Sequence, residues 1–428
     1  MFDFAAAMEY IDKRQRFGTK QGTARMEHIA EVSGLYSMIK DIKFIHIAGT
    51  NGKGSAAAMT ASVLSEAGYR TGLYVSPFIH RFTERISVDG VLIGEDEFAR
   101  CLDYFRPYID KMDLEYYGDM KAFELITLAG LLYFAKKKCE YVCLEVGIGG
   151  RLDATNIINP HLALIMSISF DHTAQLGNTL QKIASEKCGI IKKGVPVVCY
   201  PDQKEEALRE IIRQAKEKDA PLYVAEMPEA VEPSENGTRF IYKGKEYALS
   251  LTGIHQGANA AAVLCVLERL RELSANIPEK AVEKGLLLAR NPGRLEILGK
   301  DPLVIVDGAH NEGGAEALSK TLPLICKNKN IVFVLGMCDD HAKPEVLSKV
   351  LLKDSCVFTA KAKNTDRGMD PTALARLASS YCKEATAAES LAEALRLAKN
   401  KAGREGAVVC FGSLFIANEI CEAAKEKN

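Results

Sequence analysis

A chain of α/β class, built on parallel sheets covered by helices on both faces, is what this sequence predicts. Three observations carry the prediction. Short apolar runs rich in β-branched residues alternate with longer segments whose apolar residues recur every three to four positions. The runs are apolar throughout, as strands buried on both faces must be. A Gly-rich turn follows the first of them and leads into an Ala-rich segment, the strand–loop–helix order of a phosphate-binding turn. The expected strands are 44–48, 71–75, 141–146, 162–168, 195–200, 303–306, 331–335, 356–359 and 407–411. The expected covering helices include 55–67, 123–137, 259–273, 314–321 and 390–399.

With 428 residues the chain is long enough for two or three domains. A helix ends and a new strand series begins near Asn291-Pro292-Gly293, which sets the expected boundary: 1–290 and 291–428. Residues 204–250 are polar, with a turn cluster at Glu232-Pro-Ser-Glu-Asn-Gly237 and a hairpin expected to close on Lys243-Gly244. They read as a peripheral insertion of the first domain.

Composition excludes several function classes. Lys plus Arg is 55 against 56 Asp plus Glu, so the net charge of −1 lacks the basic excess of a general nucleic-acid binder. Anionic ligands must then be held by a few placed groups. The 12 cysteines are scattered and form no CxxC pair, which argues for reduced buried thiols and against a zinc site. The first ten residues lack the length and charge of a signal peptide, and no stretch reaches the ~18 apolar residues of a membrane span. A cytoplasmic enzyme is expected.

Gly49-Thr50-Asn51-Gly52-Lys53-Gly54-Ser55 is the most informative segment. Glycines let backbone N–H groups converge on phosphate oxygens, the helix start adds its dipole, and Lys53 supplies a point charge. The spacing departs from GxxxxGK[ST], since Gly54 separates Lys53 from Ser55. Glu145 ends an expected strand and precedes a Gly run, at the sheet edge where ligands bind in such folds. Read alone, Asp307 suits either a ribose contact or the N-cap of the helix near Gly313, and Asp153 and Phe123 read equally as a turn residue and a core aromatic.

The segment 49–55 resembles the phosphate loop of the Mur-type ATP-dependent acid–amine ligases, and within them the folylpolyglutamate synthase/dihydrofolate synthase family. Further motifs fall in that family's order. They are Thr71-Gly-Leu-Tyr-Val-Ser-Pro-Phe78 with Phe82-Thr-Glu-Arg-Ile86, then Glu145-Val-Gly-Ile-Gly-Gly-Arg-Leu-Asp-Ala-Thr-Asn156 and Phe170-Asp-His-Thr173. After these come Ile183-Ala-Ser-Glu-Lys-Cys-Gly-Ile-Ile-Lys192, Gly253-Ile-His-Gln-Gly-Ala-Asn259, Pro292-Gly-Arg-Leu-Glu296, Asp307-Gly-Ala-His-Asn311 and Gly412-Ser413. The resemblance implies a Mur-ligase-like phosphate-loop domain followed by a smaller Rossmann-like domain that closes over ATP and glutamate.

It also implies an activity. L-glutamate would be added to dihydropteroate, to folyl(poly)glutamate, or to both, through an acyl phosphate, with ADP and phosphate released, in folate biosynthesis and one-carbon metabolism. ATP would be a co-substrate with Mg²⁺, in two ions, and the chain would act as a monomer. By resemblance Ser76, Glu145 and His172 are metal ligands, joined by Lys187 once CO₂ has carbamylated it; Lys53, Glu145, His172 and Lys187 are the catalytic set. Asn259, Arg294, Asp307 and His310 join 49–55 in binding ATP. Gly22, Thr23, Arg25, Phe123, Glu124, Leu152, Asp153 and Ala154 form the acceptor site.

Against the family pattern, His gives way to Phe78, Thr to Lys121 and an aromatic to Asn291; an Asp-Lys-Asp stretch reads Asp339-Asp340-His341, and Arg367-Gly368 replaces Arg-Ala. These departures fall in acceptor or domain-interface positions and leave two alternatives open. One is a Mur-type ligase joining a different acid and amine; the other is an ATP-binding regulatory protein that does not ligate.

Overall fold

A computed structural model describes residues 2–14, 22–115, 119–339, 342–363 and 365–425. Asp340 and His341 lie outside the described residues. The chain divides into two compact units: Met1–Met227 with Ala258–Ala289, and Pro228–Gly257 with Arg290–Asn428.

The first unit holds β1 (Lys43–Ala48), β2 (Thr71–Tyr74), β3 (Ile86–Val88), β4 (Val91–Leu92), β5 (Tyr141–Glu145), β6 (Leu162–Ile165), β7 (Val197–Cys199) and β8 (Leu222–Val224). They form one sheet in the order β4-β3-β2-β5-β1-β6-β7-β8. From β2 to β8 every neighbouring pair is parallel, and only the β2–β3 and β3–β4 pairs at one edge are antiparallel. The central strands are apolar because helices cover both faces: β5 and β6 are buried at every residue. One face packs on a core that includes Phe44, Phe98, Phe105, Leu125 and Phe134, the other on one that includes Ile165, Ile183, Val197 and Ile211.

In the second unit β9 (Glu229–Ser234), β10 (Gly237–Tyr242) and β11 (Lys245–Leu249) make a small antiparallel sheet. Lys243 and Gly244, both at positive φ, close its hairpin as expected, the backbone a tight two-residue turn needs. The larger sheet has β12 (Glu296–Lys300), β13 (Leu303–Val306), β14 (Ile331–Leu335), β15 (Cys356–Thr359), β16 (Glu384–Ala387) and β17 (Ala407–Phe411), ordered β12-β13-β17-β14-β15-β16. It is parallel except for β12.

The expectation that 204–250 is an insertion of the first domain is corrected. The helix Glu205–Glu217 and β8 do belong to the first unit, but residues 228–257 belong to the second. The reason is packing: Phe240, Tyr242, Leu249 and Leu251 are buried, and β9 lies against the helix Glu312–Ile325. The N-cap reading of Asp307 is corrected too, because Asn311 caps that helix, its side chain accepting from Gly314 N.

None of the 12 cysteines forms a disulfide, and ten are buried. Among the described residues no helix is long and apolar enough to cross a membrane.

Candidate active site

The turn after β1 is laid against a second stretch of chain. Beyond β6, residues 166–169 run beside it: Thr50 N donates to Ser167 O at 2.8 Å and Met166 N to Ala48 O at 2.7 Å. The Thr50 hydroxyl donates to Ser169 O and accepts from Ser169 N, both at 3.1 Å, while Asn51 Nδ2 reaches Ser169 Oγ at 3.2 Å. Close approach explains the glycines. A Cβ on Gly49 would lie 2.6 Å from Met166 Cβ, and one on Gly52, at φ +85°, would lie 2.5 Å from Asn259 Oδ1. Asn259 therefore sits directly against the turn. Gly52 caps the helix Lys53–Glu66, whose first turn carries Lys53, Gly54 and the buried Ser55. This is the geometry of an anion site at a helix start.

Lys53 Nζ donates to Thr50 O at 3.3 Å and stands 4.0 Å from Glu145 Oε1. Glu145 ends β5 and pairs in register with Ile47 of β1, so the carboxylate emerges at the carboxyl edge of the sheet. Its other oxygen accepts from Ser76 N at 2.9 Å, which puts Ser76 beside it. His172 follows Asp171, whose carboxylate accepts from His172 N at 2.9 Å; the imidazole is partly exposed.

Among the described residues no three His, Cys, Asp or Glu side chains cluster as a metal-binding group. A carboxylate such as Glu145, with Ser76 beside it, is of the hard-oxygen type that suits a divalent ion completing its shell with phosphate oxygens and water.

Lys187 closes the helix Leu180–Lys187 and is buried. Its Nζ donates to Gly49 O at 2.8 Å, on the back of the turn. Burial, helped by the nearby Lys53 charge, pulls its pKa down to about 7. The 147–156 loop docks onto the same helix end through Arg151 N to Glu186 O at 2.8 Å, Arg151 NH2 to Ser185 O at 2.9 Å and Asn156 Nδ2 to Gly189 O at 3.2 Å, among other bonds.

The acceptor-side residues converge on the start of the helix Ala122–Lys136. Arg25 donates to Glu124 through NH2 at 2.8 Å and Nε at 3.1 Å, a buried fork-shaped pair, and Glu124 also accepts from Lys121 N at 2.7 Å. Burial lowers the Lys121 pKa. Phe123 lies edge-on to Tyr74, 6.0 Å between ring centres, and against Gly147.

Asp153 is held by its own chain. One oxygen accepts from Gly147 N and Ile148 N, each at 3.1 Å; the other accepts from Thr155 N at 3.0 Å and the Thr155 hydroxyl at 2.5 Å. Burial raises its pKa, and these four donors oppose the rise. Thr155 Oγ1 also meets His46 Nε2 at 2.8 Å. With the hydroxyl hydrogen on Asp153, the imidazole is the donor there, and burial holds it neutral with a pKa of about 3. Ala154 is buried behind Asp153, whereas Leu152 is exposed. Gly22 and Thr23 precede the helix Ala24–Val32, and the Thr23 hydroxyl is spent on Glu27.

In the second unit, Asp307 follows β13 and folds its loop. It accepts from Leu295 N and Ala309 N, each at 2.8 Å, and burial raises its pKa. His310 Nδ1 pairs with Gly308 O at 2.8 Å, and the Arg294 guanidinium lies against Gly308.

Sequence reasoning missed the partners of these residues. Met166, Ser167 and Ser169 form the floor of the turn, and His46 and Thr155 anchor Asp153. Thr155 follows Asp153 at the i, i+2 spacing of a local turn and could have been read from it; the others share no spacing pattern with the residue they serve, and contact alone reveals them.

Comparisons agree with this geometry. Residues 47–267 match the Mur ligase middle domain, and residues 293–414 match the Mur ligase, glutamate ligase domain. A dihydrofolate synthase/folylpolyglutamate synthase of Bacillus subtilis (strain 168) is 39% identical over 354 residues, 80% of this chain and 82% of that protein. The structure of Mycobacterium tuberculosis folylpolyglutamate synthase complexed with ADP and AMPPCP aligns with a TM-score of 0.89 at 27% identity, covering 99% of this chain and 98% of that one. A bifunctional folylpolyglutamate synthase/dihydrofolate synthase with Mn, AMPPNP and L-glutamate bound aligns with a TM-score of 0.82 at 29% identity, over 99% and 98% of the two chains. A phosphate turn seated on 166–169, a strand-end carboxylate beside Lys53 and matches along nearly the whole length lead to one conclusion: the chain belongs to the Mur ligase family, in its folylpolyglutamate synthase/dihydrofolate synthase branch.

Proposed function

We propose that the chain is an ATP-dependent ligase that forms an amide bond between L-glutamate and a pterin-bearing acid, dihydropteroate or a folyl(poly)glutamate. The observation that carries the reading is Lys53, placed at the helix start between the turn carbonyl of Thr50 and the Glu145 carboxylate. The acceptor carboxylate oxygen attacks the γ-phosphorus of ATP, the bond to the β-phosphate oxygen breaks, and ADP departs. The glutamate nitrogen then attacks the acyl carbon of the acyl phosphate, and phosphate leaves as the amide forms.

The protein contributes positioning and charge, which supply most of the rate in phosphoryl transfer. Backbone N–H groups of 49–55 cradle the phosphates, and Lys53 offsets the charge that builds on the transferred group. A divalent ion held by Ser76, Glu145 and His172 would neutralise phosphate charge. Arg294, Asp307 and His310 are proposed as the second unit's nucleotide contacts, and Asn259 as the first unit's. Arg25, Phe123, Glu124 and Asp153 shape the acceptor side, the charged three by holding its backbone and the aromatic by offering a ring face. Lys187 is proposed as the carbamylation site: burial leaves its amine partly neutral near pH 7, the form that takes up CO₂. The chain is proposed to work as a cytoplasmic monomer.

The test is ADP release with glutamate and a panel of acceptors. Wild-type protein should respond to dihydropteroate or reduced folates, and Lys53→Ala should lose turnover by roughly 10³-fold or more. Near-normal turnover in Lys53→Ala would refute the assignment. ADP release driven only by a non-pterin acid would favour a ligase for another acid and amine, the reading that Phe78 and Lys121 motivate. ATP binding without acceptor-dependent ADP release would identify a regulator.

A further inference from the structure

The stretch 166–169 carries the phosphate turn on one side, and among the described residues no strand pairs with its other side. β7 stops at Cys199; Tyr200 N still donates to Ile165 O at 2.8 Å, and the chain then turns away at Pro201 and Asp202. Pro201 has no N–H to offer a ladder. The hydrogen bonds set the directions: Met166 N and Ser167 O face the turn and the end of β1, while Met166 O and Ile168 N face Gln203. Ser167 O takes Thr50 N from the turn. On the opposite edge Gln203 Nε2 donates to Met166 O at 2.8 Å, and Gln203 Oε1 accepts from Ile168 N at 3.1 Å. One side-chain amide thus stands in for the missing strand, giving the donor and acceptor a peptide would give.

We infer that Gln203 is a positioning residue for nucleotide binding: by clamping both polar groups of the floor's outer edge, it fixes the height at which Ser167 and Ser169 present themselves to Thr50 and Asn51. Its effect is indirect, through the bonds that join Ser167 and Ser169 to Thr50 and Asn51. Without the clamp the floor's N–H and C=O turn to water, the stretch loses its fixed pleat, and the turn loses the template that orders its N–H groups. A shift of about 1 Å in such a loop is enough to cost roughly 10²-fold in a positioned reaction. The acceptor-side residues Arg25, Phe123 and Glu124 make none of these bonds, so the damage falls on the nucleotide.

This rests on the reading of 49–55 as a nucleotide phosphate site, and the experiment separates the two. ADP binding by calorimetry and the KM values for ATP and acceptor are measured for the full chain and for Gln203→Met, which keeps length and bulk but has no amide. Gln203→Glu keeps the acceptor for Ile168 N and loses the donor to Met166 O. Expected are an ADP affinity about tenfold weaker in Gln203→Met, a smaller loss in Gln203→Glu, a parallel rise in the KM for ATP, and an acceptor KM within twofold of wild type. Unchanged ADP affinity overturns the inference, and so does an equal weakening of ADP and acceptor, the pattern of a general loss of structure. Should Gln203→Met fail to fold, Gln203→Glu decides by the same criteria. A wild-type chain that binds no ADP would instead overturn the proposed function.

Discussion

Residues 49–55 after β1 and residues 307–311 after β13 are both turns at the carboxyl end of a parallel strand, yet the bonds that hold them span very different lengths of chain. The first is tied to Ser169 across 118 and 119 residues and to Lys187 across 138. The second is closed by Asp307 to Leu295 across 12 residues and to Ala309 across 2, by His310 to Gly308 across 2, and by Asn311 to Gly314 across 3. Closing a long loop costs more entropy than closing a short one, so the first turn acquires its shape only when β1, β6 and the helix at Lys187 are together. In the second the side-chain bonds all close on nearby residues, and its distant tie is the strand-end bond from Asp307 N to Cys410 O at 2.9 Å. One turn is therefore shaped by side chains far along the chain, and the other chiefly by its own neighbours.

The comparison can be broken most forcefully at Gly49. Gly49→Ala places a methyl 2.6 Å from Met166 Cβ at a backbone φ of +155°. ADP affinity should fall by ~10²-fold, and stability should drop by about 2–4 kcal/mol in denaturant titration. Wild-type ADP affinity in that variant would mean that the turn does not need its floor.

The matching cut in the second unit is Asp307→Ala, which leaves Leu295 N and Ala309 N without their acceptor. About 2–4 kcal/mol should be lost for the two buried N–H groups. Hydrogen exchange should quicken over 293–311 and stay unchanged over 49–55. Faster exchange in both segments would erase the distinction between distant and local closure.

A smaller effect sharpens the long-range side. Lys187 has its folded pKa near 7 against an ordinary 10.5, so between those values the unfolded chain binds more protons and stability climbs with pH. Below pH 7 the whole burial cost is present. In CO₂-free buffer the wild type should gain about 2 kcal/mol over Lys187→Met between pH 6.5 and 8.5. Parallel pH curves for the two proteins would show that the amine is not desolvated.

The mildest change is Asn311→Ala, which removes a helix cap and should cost about 1 kcal/mol in thermal unfolding, with ADP affinity untouched.

The same contrast decides what the sequence shows by itself. Buried central strands such as β5 and β6 announce themselves as apolar runs, because both faces are covered. The edge strand β16 is largely exposed at Glu384–Ala387 and carries no such run, and β9 contains Pro233. The helix Glu205–Glu217 is hidden in polar text because its buried face mixes Glu210 and Gln214 with Ala207, Ile211 and Ala215. Lys53 and Glu145 are legible, since strand-end position and residue type coincide with the chemistry. The commitment of Arg25 to Glu124, 99 residues away, is not, and neither is the clamp at Gln203. A side chain whose importance lies in what it supports leaves no spacing signature.

The chain passes between its two units three times, at residues 227/228, 257/258 and 289/290. No single cut of the gene can therefore yield two whole halves. A fragment ending at residue 289 would carry β9, β10 and β11 as a stranded passenger, with β9 parted from the helix Glu312–Ile325 that it packs against. Dissection, permutation or shuffling of this protein has to respect the small sheet as property of the later half, written early in the message.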